Sequence, residues 1–90
     1  MIGGLLNMAE ILVLDSAIEP KTARRLADDA FAKGVGLPNT HWTEWTALVD
    51  NMAFLGYLEK ADSGLLISRK GEEVLALSKK WHNAMLRLHR

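Results

Sequence analysis

The chain has 90 residues, 49% of them hydrophobic, with eleven basic groups, eleven acidic groups and no cysteine. That length suits one domain around one core, and the missing thiols exclude disulfides and Cys-ligated metal centres and fit a reducing, cytoplasmic setting. A net charge of zero departs from the basic balance of a dedicated nucleic-acid binder, yet the charge is sorted: residues 1–59 hold four basic and eight acidic groups, residues 60–90 seven and three.

No apolar run reaches the roughly 20 residues that span a bilayer. The start of the chain lacks the basic n-region of a signal peptide, and Asn7, Glu10 and Asp15 interrupt its apolar residues. A soluble cytoplasmic protein with no membrane partner is expected.

Periodicity predicts a first helix within residues 1–18, from about Leu5 to Ala17. Leu5, Met8, Ala9, Leu12 and Val13 form one stripe, and Ile11, Leu14 and Ile18 lie on the other side. A helix this apolar all round is buried on more than one face. Either a second subunit or the C-terminal helix of the same chain covers the extra face.

Glu19-Pro20 breaks the chain, and Pro is tolerated in a first turn, so helix 2 is expected over 20–33. Ala23, Leu26, Ala27, Ala30 and Phe31 follow helical spacing, and Gly34 is a natural C-cap. Arg24–Asp28 and Arg25–Asp29 sit four apart. That spacing favours a solvated, salt-bridged face over a phosphate-facing Arg pair.

Residues 34–38 read as a loop without the Lys-Ser/Thr of a phosphate-binding loop. Asn39 or Thr40 can cap helix 3, expected over 40–55. Steps of 100° put Trp42, Trp45, Leu48, Val49, Met52 and Leu55 on the core side. Such spacing makes the two tryptophans core anchors rather than a stacking platform for bases. The outer side carries Thr43, Ala47, Asp50 and Phe54, flanked by Glu44 and Asn51. No Lys or Arg lies between Lys33 and Lys60.

Gly56 allows an exit from helix 3. Strands are expected over Tyr57–Lys60 and Leu65–Ser68, joined by Ala61-Asp62-Ser63-Gly64, a hairpin over 57–68 that must lean on the helices. Ser68 can cap a last helix over 69–88, whose apolar stripe reads Val74, Leu77, Trp81, Ala84, Met85 and Leu88. Lys79, Lys80, Asn83, Arg87 and Arg90 lie opposite.

Two segments carry a family resemblance. Thr46-Ala-Leu-Val-Asp50-Asn-Met-Ala-Phe-Leu-Gly56-Tyr-Leu-Glu59 resembles the recognition helix and first wing strand of MarR- and PadR-type regulators. Leu65-Leu-Ile-Ser68-Arg-Lys70-Gly71-Glu-Glu-Val74-Leu resembles the second wing strand and following helix start, and Leu26-Ala27 matches the preceding helix. The likeness covers about residues 20–77. It implies a winged helix-turn-helix fold, mainly α with a small β-hairpin, in one domain over 1–90.

The resemblance also implies a dimeric transcription regulator that binds double-stranded DNA, joined through helix 1 and the C-terminal helix. Helix 3 would enter a major groove and the hairpin lie along the backbone. The base-facing candidates are His41, Thr43, Glu44, Ala47 and Asn51; the phosphate-facing ones are Lys60, Ser63, Arg69 and Lys70. Helix 3 has neither Arg nor Lys, the commonest readers of guanine. The alternative is a winged-helix protein-interaction module, in which Phe54, Ala47 and Asp50 on the outer face of helix 3 bind another protein. Phe54 separates the readings: it is either exposed for a partner or packed under the wing.

No enzyme, cofactor or metal site is expected. The serines lie in no nucleophile motif. His82 and His89 are seven apart, not the four that two ligands on one helix face use, and read as surface histidines. The adjacent pairs Asp28-Asp29 and Glu72-Glu73 diverge on a helix.

Overall fold

The computed structural model describes the backbone of residues 5–34 and 42–88 and the side chains of 5–34 and 44–84. The elements are α1 (Met8–Ser16), α2 (Ala23–Lys33), α3 (Trp42–Phe54), β1 (Leu58–Ala61), β2 (Gly64–Ile67) and α4 (Arg69–Leu88). The coarse class is as expected, mainly α with one two-stranded antiparallel hairpin. The expectations for the loop at 34–38 beyond Gly34 and for the caps Asn39 and Thr40 fall outside the described residues.

α1 begins three residues later than its periodicity predicts. Asn7 Oδ1 accepts from the Glu10 N–H at 2.8 Å, and Glu10 Oε1 accepts from the Asn7 N–H at 2.9 Å. This capping box sets the start and leaves Leu5 and Leu6 ahead of the helix. Ile11, Val13, Leu14 and Ala17 are all buried within the one chain, between α2 and α4. Ile11 and Leu14 of the second apolar side are thus covered by the same chain, while Ile18 on that side is 68% exposed and Met8 on the first stripe is 45% exposed.

Pro20 does not open α2, contrary to expectation. Thr22 is the N-cap, its hydroxyl accepting from the Arg25 N–H at 3.1 Å. The backbone of Lys21 is thereby free to pair as an isolated bridge with Leu65, its N–H donating to the Leu65 carbonyl at 2.9 Å. The Ile67 N–H donates to the Ala17 carbonyl at 2.9 Å. The α1–α2 connection thus runs along β2, and across the sheet the order is Lys21, β2, β1. Gly34 closes α2 as expected. Phe31, placed on the apolar stripe by spacing, is exposed.

α3 turns Trp45, Val49 and Met52 into the core. Gly34 makes room for the Trp45 ring: a Cβ there would sit 2.6 Å from Trp45 Cζ2. Leu55, expected inside, is 40% exposed, because the helix ends before it. The Tyr57 N–H donates to the Met52 carbonyl at 3.0 Å and the Gly56 N–H to the Ala53 carbonyl at 3.1 Å. Gly56 has φ +85°. This is a Schellman closure, which places its left-handed residue where glycine pays no Cβ penalty.

The hairpin is shifted one residue from the expected strands, with Leu58 opposite Ile67 and Ala61 opposite Gly64. Ser68 caps α4 as expected, its hydroxyl accepting from the Gly71 N–H at 3.0 Å and donating to the Gly56 carbonyl at 2.5 Å.

The expected apolar stripe of α4 holds at Val74 and fails beyond it. The buried line is Gly71, Val74, Leu75 and Ser78, while Leu77 and Trp81 are 53% and 51% exposed; the side chains of Met85 and Leu88 lie outside the described residues. Ser78 Oγ accepts from the Leu6 N–H at 2.9 Å, and His82 Nε2 donates to the Leu6 carbonyl at 3.2 Å. His82 is thus a partly buried clamp rather than a surface histidine. The residue ahead of α1 is held by both of its backbone polar groups, so α4 lies on α1 by its small, hydroxyl-bearing face.

Candidate interaction surfaces

The outer face of α3 follows from its inner one. With Trp45, Val49 and Met52 fixed inward, a 3.6-residue period leaves Glu44, Ala47, Asp50, Asn51 and Phe54 in solvent, and all five are exposed. Phe54 is 87% exposed, so packing under the wing is excluded. His41 and the side chain of Thr43 lie outside the described residues, as does that of Trp42.

The phosphate-facing candidates do not form one free cationic surface. Lys70 Nζ donates to the Leu55 carbonyl at 3.0 Å and lies 5.3 Å from the centroid of the Tyr57 ring. It neutralises the C-terminal end of α3, where a cation is stabilising. Arg69 is exposed and loosely paired with Glu73 at 3.6 Å. Lys60 and Ser63 are exposed on β1 and in the turn. Gly64 lies against Lys21 and Thr22, which brings the hairpin beside the start of α2.

There Asp29 accepts from Lys21 at 2.7 Å and pairs with Arg25 at 3.3 Å. The hydrogen bond from Lys21 holds the Asp29 carboxyl below its ordinary range, and Arg25 adds to the effect. The Arg25–Asp29 pair is thus the one that spacing favours, and Lys21, ahead of the helix, is a second partner of the same carboxylate. Only the pairing of Lys21 with a strand far away in sequence could have revealed it.

A second apolar surface was missed because its residues were assigned to the core. Leu77, Trp81 and Ala84 run along the outer side of α4, and with Leu5 and Lys80 they line an open groove of about 450 Å³. Another groove of about 500 Å³ runs between the end of α1, β2 and α4, with the Asp15–Lys79 ion pair at 2.7 Å on its wall. Among the described residues no three His, Asp or Glu side chains converge on a metal-sized site, and no helix is long and apolar enough to cross a membrane. The chain matches no protein-family model, no curated protein and no solved structure.

Proposed function

We propose that this chain is a winged helix-turn-helix module that binds another protein through the outer face of α3. The fold reading is supported by the element order of three helices, an antiparallel hairpin and a fourth helix. The single observation that carries the function is Phe54: an aromatic ring 87% exposed, on a helix whose flanks carry Glu44 and Asp50 and no cation. Exposed aromatics are enriched at the cores of protein interfaces. A DNA phosphate meeting the same face finds the carboxylates of Glu44 and Asp50 and no Lys or Arg of α3, and phosphate neutralisation dominates DNA affinity.

The second reading is a cytoplasmic, DNA-binding transcription regulator acting as a dimer. It is favoured by the exposure of Lys60 and Ser63 on the hairpin and of Arg69 at the start of α4 and by the hairpin's place beside Thr22 at the start of α2. In it α3 supplies Ala47 and Asn51 to the groove, and the wing and α2 supply the phosphate contacts.

A photo-crosslinking residue at position 54, in cells that make the protein, separates the two. The expected result is a discrete protein adduct that survives nuclease and is absent when the residue is placed at Arg24. Nucleic-acid adducts at 54 would overturn the proposal. So would duplex-DNA binding that persists at physiological salt and is lost in Lys60→Glu/Arg69→Glu.

A further inference from the structure

The two sides of the hairpin end differently. On the β2 side, Lys21 and Leu65 exchange both backbone bonds, at 2.9 and 2.6 Å, and the Ile67 N–H donates to the Ala17 carbonyl. The chain between α1 and α2 thus occupies the outer side of β2. Leu65 and Ile67 turn their polar groups that way, so their opposites in the register, Lys60 and Leu58, turn theirs away from β2. Among the described residues nothing bonds to these outward groups. β1 therefore presents two N–H and two C=O groups at a free edge, a template on which another strand can pair.

The side chains of β1 decide which strand fits. Glu59 stands opposite Leu66, so the two share one face of the hairpin. Glu59 is exposed and has no ion-pair partner among the described residues. A two-fold axis at the edge would lay β1 antiparallel to β1 of a second copy. The register that uses both outward residues of each strand pairs Leu58 with Lys60 and Lys60 with Leu58, and it centres on Glu59. The two Glu59 side chains then stand directly opposite, with Cβ atoms about 4.5–5.5 Å apart, where like charges are destabilising. Sliding the strands by two residues removes that clash but leaves one outward residue of each strand paired instead of two. In one direction it also sets Lys60 on Lys60.

We infer that Glu59 closes the free edge of β1 to a second copy of this chain. It interrupts an apolar row that would otherwise run across four strands as Leu66, position 59, position 59 and Leu66. Lys60 has no such role, because the same register sets it opposite Leu58. Nothing in this depends on what α3 binds.

Amide hydrogen exchange at Leu58 and Lys60 tests it, since both N–H groups point out of the hairpin and pairing at this edge shields them. Association through α3 or α4 does not. In the wild-type chain both amides exchange rapidly at every protein concentration. Glu59→Val completes the apolar row, and both amides become protected as concentration rises. Glu59→Lys alone stays unprotected, because lysine then faces lysine. Mixed one to one with the wild type it is protected, because Glu59 then faces lysine; the mixed pair is about tenfold tighter than either chain with itself. Lys60→Val exchanges like the wild type. Position 59 is exposed, and circular dichroism checks each fold; if Glu59→Val unfolds or precipitates, the mixture decides. Concentration-dependent protection in the wild type overturns the inference, as does a mixture no better protected than its separate chains. Equal protection in Lys60→Val and Glu59→Val also overturns it, because removal of any edge charge would then suffice.

Discussion

α3 and α4 obey the same helical period, yet only α3 buries the face that its hydrophobicity selects. In α3 the large side chains Trp45, Val49 and Met52 fill the core. In α4 Val74 keeps its expected place, but beyond it the inward line passes from Leu77 to the buried Ser78 and from Trp81 to the partly buried His82, a turn of about 100° at 3.6 residues per turn. The difference lies in what each helix meets. α3 meets side chains and the Cβ-free surface of Gly34. α4 meets backbone: Tyr57 at Gly71, and both polar groups of Leu6 at Ser78 and His82. Close backbone demands small residues and hydrogen-bond partners, and the displaced Leu77 and Trp81 are left in solvent.

The largest expected effect is on the α3 side of this comparison. Trp45→Ala empties a site that is 1% exposed, and such truncations cost about 3–5 kcal/mol. Urea denaturation should show the loss, with the Trp45 contribution to fluorescence subtracted. The indole N–H has no hydrogen-bond partner among the described residues, so the cost comes from apolar burial. A loss below about 1 kcal/mol would mean that α3 is not anchored by this ring, and its contrast with α4 would collapse.

Next is Gly71→Ala. Alanine in a helix interior ordinarily gains about 1 kcal/mol over glycine. Here the added Cβ would overlap the Tyr57 carbonyl oxygen and come within 2.9 Å of Ile67 Cγ1. Neither neighbour can swing aside, since one is backbone and the other is a buried side chain. A net destabilisation of about 2–3 kcal/mol is expected from overpacking, read as a lowered thermal midpoint. A gain in stability would show that α4 does not approach Tyr57 and Ile67 closely and would remove the physical reason for its rotated face.

How far the sequence can be read follows the same division. The α3 face, the Gly56 exit, the Ser68 cap and the hairpin with its one-residue shift were legible because each is set by residues a few positions apart. The exposed outer face of α3, with Ala47, Asp50, Asn51 and Phe54, came with them. The start of α2 was not legible: Pro20 looked like a first-turn residue, and the pairing of Lys21 with Leu65 joins positions far apart in sequence. Nor was the groove on α4. Leu77 and Trp81 have the spacing of core residues, and only the docking of Leu6 on Ser78 and His82 moves the core to the neighbouring line.

The smallest effects sharpen the contrast within α4 itself, between neighbours. Leu77→Ala removes a large apolar side chain that is 53% exposed, and a surface change of this kind moves monomer stability by about 0.5 kcal/mol or less. Ser78→Ala removes one oxygen, but that oxygen is fully buried and accepts the Leu6 N–H at 2.9 Å. Leaving the amide unpaired costs about 1–2 kcal/mol, and hydrogen exchange should report faster opening at Leu6 while the amides of α3 are unchanged. Hydrophobicity ranks these two substitutions in the opposite order. If denaturation finds leucine the costlier loss, then Leu77 faces inward. The α4 groove would then be part of the core.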